Sequence, residues 1–237
     1  GGPVDGAPAD AGGPTLAPRT DPAAVTPGQW MVAWVGSSND PVYAALEQGT
    51  FTYPKPGWDG NKVHWSLRKT DKNGGLGSFP AGYGYAAAKL TVAKPGRIFV
   101  RAGPSYGVWV NGRRHPADVY GSRRVWVPLH ADAGENLVVV RIRGGVGKPQ
   151  AELWTTPDEL VFNLKDTSLP HLLVGDTATQ CLGVPVLNLT GAAIANLQAT
   201  VVGDASFKET TVTIPSIGPT IAESIVGAKI IANIHET

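Results

Sequence analysis

Apolar residues along this chain recur at every second position, in short runs separated by Gly, Pro, Asn and Asp. That is the spacing of half-buried β-strands joined by tight turns. Residues 30–35 (WMVAWV) read as the first strand, 41–48 as one short helical turn, and 51–53 and 63–67 as further strands. Turn chemistry at 59–61 and 73–75 separates these from residues 82–92, which lead through Lys94, Pro95 and Gly96 into a strand at 97–101. The succession predicts an antiparallel meander.

The stretch from Tyr106 to Tyr120 is the most patterned. Val108 and Val110 fall on one face of a strand and Trp109 on the other. Asn111 and Gly112 form a two-residue hairpin signal, because both positions of a type I′ turn need positive φ. Val125, Val127 and Leu129 share a face, as do Val138, Val140 and Ile142, which leaves Trp126 and Arg141 on the opposite sides of their strands. A core face and a second, decorated face follow.

Residues 144–170 connect two regions, with strands expected at 151–154 and a short helix or strand at 157–162. Beyond them, 171–174, 183–189, 196–202, 208–214 and 222–234 read as the strands of a smaller sandwich with immunoglobulin-like spacing. Residues 1–28 are rich in Gly, Ala, Pro and Asp, with too few large side chains to offset ordering entropy. The expectation is therefore an all-β chain in three parts: a disordered linker at 1–28, an antiparallel jelly-roll sandwich at 29–165 and a smaller sandwich at 166–237.

Charge sharpens this division. Residues 1–154 hold 17 Lys/Arg against 11 Asp/Glu, whereas 155–237 hold 3 against 8, and all 7 Trp and 6 Tyr precede residue 155. The first part is rich in turn formers and rings, and its excess of +6 is too diffuse for the basic stripe of a nucleic-acid binder. No apolar run reaches the ~18 residues of a spanning helix. The single Cys181 rules out an internal disulfide framework and a multi-cysteine zinc site.

Three motifs then carry a resemblance. Residues 108–112 (VWVNG) with Asp118 and Tyr120, 125–129 (VWVPL) and 133–140 (AGENLVVV) resemble the galactose-binding-like jelly rolls appended to secreted glycoside hydrolases and esterases. Residues 183–191, 197–201 and 213–219 look like the immunoglobulin-like accessory domains related to bacterial cell-adhesion (CARDB) modules. Together they imply a non-catalytic pair accompanying a catalytic domain that lies outside this chain. The linker composition matches the tether that follows an export signal or lipid anchor in the bacterial envelope, and equally a linker from an upstream domain. A secreted or envelope location is the expectation.

Candidate chemistry follows from ring stacking. Tyr106, Trp109, Tyr120 and Trp126, with Arg113, Arg114 and Asp118 as polar partners, have the composition of a saccharide site, in which rings stack on sugar faces and polar groups meet hydroxyls. The competing reading is that these rings pack between strands. Trp58, Trp65, Tyr83 and Tyr85 form a second aromatic group. His64, His115, His130, His171 and His235 are scattered without ligand spacing, and Asp132 and Glu135 read as solvated turn residues, so neither metal nor cofactor is expected.

Ser37, Ser38 and Ser122 lack a nucleophile setting, and residues 103–107 (GPSYG) match its letters but lie between strands. Residues 144–148 (GGVGK) lack phosphate-loop spacing, and the Asn188, Leu189, Thr190 sequon reads as a hairpin turn with Gly191. The sequence thus points to an accessory region of a hydrolase, not itself an enzyme, that meets a polysaccharide or another polymer through an aromatic face. The alternatives are a purely structural spacer that packs against a catalytic domain and, second, a self-standing hydrolase.

Overall fold

The computed structural model describes residues 23–24, 27–36, 39–57, 60–145, 147–156, 158–168, 181–202, 209–219 and 230–235. Most of the expected linker, the strand at 171–174, Ser37, Ser38, Trp58 and His171 lie outside the described residues. In chain order the elements are β1 (Ala23–Ala24), β2 (Gln29–Gly36), α1 (Pro41–Glu47), β3 (Ser66–Lys69), β4 (Gly82–Val92) and β5 (Gly96–Gly103). There follow β6 (Ser105–Val110), β7 (Arg113–His115), β8 (Val127–Ala131), β9 (Gly134–Gly144) and β10 (Gln150–Thr155). The last are β11 (Leu160–Phe162), β12 (Cys181–Asn188), β13 (Ile194–Val201), β14 (Thr210–Ile217) and β15 (Ile230–His235).

The chain is an all-β sandwich with antiparallel pairing throughout, as its alternating pattern predicts. A four-stranded sheet, β1-β10-β5-β8, faces a six-stranded sheet, β3-β2-β4-β9-β6-β7. Between them lies the main core, with Val108, Val110, Val138, Val140 and Ile142 of the six-stranded sheet against Ile98, Val100, Leu129 and Leu153 of the four-stranded one. The in-out assignments of Val108, Val110, Val127, Leu129, Val138, Val140 and Ile142 therefore hold, whereas Val125 precedes β8 and is exposed instead of sharing their buried face. Each buried aliphatic side chain of this kind contributes roughly 1.5–3 kcal/mol.

Local signals explain the departures from regularity. Asp40 caps α1 by accepting the Tyr43 N–H at 2.8 Å, and Pro41 occupies the first turn, where no N–H is needed. Val42 and Leu46, four residues apart, bury one helix face on the outer side of the six-stranded sheet. The expected strand at 51–53 is instead extended coil, whose Phe51 and Tyr53 pack on that same outer layer. The strand expected at 63–67 forms at 66–69.

Two of the resemblance-bearing motifs are a single hydrogen-bonded unit. Asn111 and Gly112 take φ of 51° and 79°, as the hairpin requires. Asn111 donates through Nδ2 to Asn136 Oδ1 at 2.9 Å and accepts from the Leu137 N–H, while the fully buried Asn136 also accepts the Asp132 N–H. The turn between β6 and β7 is thereby fastened to the one between β8 and β9.

At the ends of the first region, pairing reaches further than the side-chain pattern suggests. Ala23 and Ala24, inside the stretch expected to be linker, pair with Thr155 and Trp154, because backbone hydrogen bonds need no large side chain. Leu160–Phe162, placed before residue 166 by the sequence pattern, pairs with β12, which in turn pairs with β15. β13 and β14 form a separate two-stranded ladder. No helix among the described residues is long and apolar enough to cross a membrane.

Candidate functional site

The side chains expected to form one aromatic face separate into four places. Trp109 is enclosed, 1% exposed, in an apolar layer between the outer side of the six-stranded sheet and α1, with Tyr43 edge-on at 6.1 Å. Its place as a sugar-stacking ring is corrected: alternation does turn it away from the main core, but α1 covers that side. Gly107 is part of the fit, since a Cβ there would stand 2.7 Å from the Trp109 ring.

Trp126 forms the second place. It packs edge-to-face on Trp154 at 5.4 Å and on Phe99 at 6.0 Å, and Phe99 and Trp154 share a buried cluster with Leu187 and Leu189 from the C-terminal strands. This ring meets protein. Arg97 donates from Nε to the Leu189 carbonyl at 3.0 Å, and Asn163 Nδ2 donates to the Arg124 carbonyl at 2.8 Å, so polar bonds frame the aromatic seam.

Asp118 and Tyr120 occupy the third place, the loop between β7 and β8. Asp118, 3% exposed, accepts the N–H groups of Ser122 and Arg123 at 3.0 and 2.6 Å, and its carbonyl accepts from Ser105 and Gly121. Its carboxylate is spent on the loop, which corrects its reading as a ligand-binding group. Tyr120 projects from this fixed loop, 93% exposed. Arg113 and Arg114 stand on the edge strand β7, and Arg114 donates to the Tyr43 hydroxyl at 3.1 Å while lying over the Trp109 ring.

Tyr106 belongs to a cluster that the sequence pattern does not announce. β6 pairs with β9 through Ser105 to Ile142 and then Gly107 to Arg141, so Tyr106 is the extra residue of a bulge. Bulges re-aim side chains. The Tyr106 ring meets that of Tyr83, from the strand on the other flank of β9, at 5.5 Å edge-to-face. Beneath them the Arg141 guanidinium sits 4.0 Å from the Tyr83 ring, 4.7 Å from Tyr43 and 5.9 Å from Tyr106. Cation–π contacts of this kind are worth roughly 0.5–2 kcal/mol each.

Asp40 completes the cluster. It accepts Arg141 Nη2 at 2.9 Å and the Tyr85 hydroxyl at 2.6 Å, so one carboxylate ties α1 to β4 and β9. Burial, together with the hydrogen bond to Asp40, pushes the Tyr85 phenol far above its ordinary value and keeps it a donor. Of the second aromatic group, Trp65 and Tyr85 are fully buried and Tyr83 is half-buried. Arg141 was visible in the sequence only as a polar residue on the opposite side of its strand from Ile142, and Asp40 carried no signal at all. Their meeting depends on a contact 101 residues apart.

The remaining polar candidates have local roles. Asn188, fully buried, donates to the Ala192 and Ile217 carbonyls and accepts from Thr190, so the sequon is an internally bonded turn; it is not the hairpin expected, because β12 and β13 belong to different sheets and do not pair. Asp132 lies 3.5 Å from His130, and Glu135 pairs with Lys89 at 2.8 Å in solvent. Burial, reinforced by the Arg113 cation, lowers His115 to about 4. No group of three or more His, Cys, Asp or Glu placed to hold a metal occurs among the described residues.

No family model and no curated protein matches the chain. Among solved structures it is similar to a GH2 beta-galacturonidase from Eisenbergiella tayi, at 10% identity and a TM-score of 0.45, over 92% of this chain and 36% of that chain. The exo-chitosanase CsxA of Amycolatopsis orientalis aligns at 14% identity and a TM-score of 0.42, over 90% and 28% of the two chains. A beta-glucuronidase from Bacteroides uniformis aligns at 11% and 0.41, over 92% and 27%. The chain spans about a third of the length of these structures. At such scores and identities the likeness assigns neither activity nor ligand.

Proposed function

We propose that this chain is a non-catalytic accessory region of a secreted or envelope hydrolase, and that its main role is architectural. The observation that carries this reading is the seam of Phe99, Trp126 and Trp154 with Leu187 and Leu189. Trp126, the one seam ring that the sequence offered to a ligand, joins Phe99 and Trp154 in fastening the C-terminal strands, with an expected immunoglobulin-like spacer role, onto the outer face of the four-stranded sheet. A fastened pair can hold a neighbouring catalytic domain at a set distance, which a flexible linker cannot.

The carboxylates support the same reading. Asp40 is engaged by Arg141 and Tyr85, Asp118 by its own loop, Glu152 by Arg101 and Glu135 by Lys89. Glycoside hydrolysis needs two carboxyl groups ~5 to 10 Å apart and facing a substrate, and these four are committed to protein contacts. Incubating the purified chain with polysaccharides, aryl glycosides and aryl esters should release no product. Saturable turnover that co-purifies with the chain would overturn the proposal.

A further inference from the structure

The glycine-rich end of the six-stranded sheet carries an outward patch that the architectural role leaves unused. β9 turns both Arg141 and Arg143 to this side, because Ile142 between them faces the core. Tyr83 is the direct cross-strand partner of Arg143 on one flank, and the bulge delivers Tyr106 from the other. Arg141, neutralised by Asp40, holds the rings from below. Arg143 is exposed, and neither its guanidinium nor the hydroxyls of Tyr83 and Tyr106 have a partner among the described residues.

These three groups have a definite chemical complement. Two phenol hydroxyls that both donate and accept match vicinal sugar hydroxyls, and an unpaired guanidinium matches a carboxylate, which it can grip through two parallel hydrogen bonds. The rings are already immobilised against Arg141 and each other, so binding does not bear the cost of ordering them. We propose that Tyr83, Tyr106 and Arg143 form a contact site for an acidic saccharide, with Arg143 on the carboxylate of a uronic-acid residue and the two phenols on its hydroxyls. The inference rests on the accessory reading only in supposing that the chain works beside a polysaccharide.

So small a site binds weakly, with Kd on the order of 1 mM. A titration of the isotopically labelled chain, followed by NMR with a galacturonate hexamer and with the neutral galactose hexamer, tests it. The acidic sugar should shift Tyr83, Tyr106 and Arg143 resonances, and the neutral one should bind at least tenfold more weakly. Arg143→Ala should remove about tenfold or more of the affinity for the acidic hexamer, and Arg143→Lys should restore part of it. Tyr83→Phe with Tyr106→Phe, which keeps both rings and hence their packing, should weaken binding about fivefold.

No shifts with the acidic hexamer, equal binding of both sugars, or binding indifferent to Arg143→Ala would each overturn the site while leaving the accessory role intact. Cleavage of the hexamer during the titration would instead overturn the non-catalytic reading and leave the site standing.

Discussion

The two outer faces of the first sandwich put similar residues to different uses. On the four-stranded sheet, Phe99, Trp126 and Trp154 are covered by Leu187 and Leu189 of the C-terminal strands, and the face becomes an internal seam. On the six-stranded sheet, α1 and the coil after it cover Trp65, Tyr85 and Trp109, but the covering stops short of Tyr83, Tyr106 and Arg143. Strand alternation places rings on both faces equally. What lies over each face decides whether a ring becomes core, seam or surface.

The largest test of this contrast is Trp109→Ala, expected to lower the unfolding free energy by about 3 to 5 kcal/mol, as removing a buried Trp does elsewhere. Urea denaturation reads it, and a loss below about 1 kcal/mol would return Trp109 to the surface. Next is Trp126→Ala, about 2 to 4 kcal/mol because the ring is partly open. Combined with Leu189→Ala in a double-mutant cycle, it should show coupling of about 0.5 to 3 kcal/mol. Simple additivity would mean that the seam does not form in solution.

Asp118→Ala should cost about 1 to 3 kcal/mol, since the N–H groups of Ser122 and Arg123 lose their acceptor. A differential-scanning measurement that shows no change would break the account of the loop between β7 and β8. pH acts on the six-stranded sheet through His115, the cross-strand partner of Val108. Because the fold holds this imidazole at about 4 against an ordinary 6.5, the unfolded chain binds the proton first as pH falls. Stability should therefore decline from about pH 6.5 to about pH 4, with His115 adding no further slope below that. His115→Gln should flatten the window in a series of melting curves. The smallest effect belongs to Tyr120→Ala, expected within about 0.5 kcal/mol of the parent, because the ring touches little.

Much of this architecture was legible beforehand, for a physical reason. Val108, Val110, Val138, Val140 and Ile142 sit in strands where side chains alternate by geometry, so their shared burial follows from spacing alone. The hairpin at Asn111 and Gly112 was equally readable, because positive φ is a property of those residues. The Tyr106 bulge was not: one unpaired residue shifts the register locally and leaves no compositional trace. The candidate site was legible in its residue types more than its grouping. Tyr106 and Arg114 did approach the same outer face, whereas Asp118 turned inward and Trp126 was taken by the C-terminal strands.

The sequence by itself determined an all-β chain, which residues point to opposite sides of each strand, and where the tight turns fall, because these depend on neighbours within a few residues. Only the tertiary structure decided which outward ring stays open. That outcome depends on α1 lying over Trp109, on Leu187 and Leu189 closing over Phe99 and Trp154, and on Asp40 reaching Arg141 across 101 residues. Contacts so distant along the chain carry no local periodicity. Burial on an outer face is therefore settled by what packs against it.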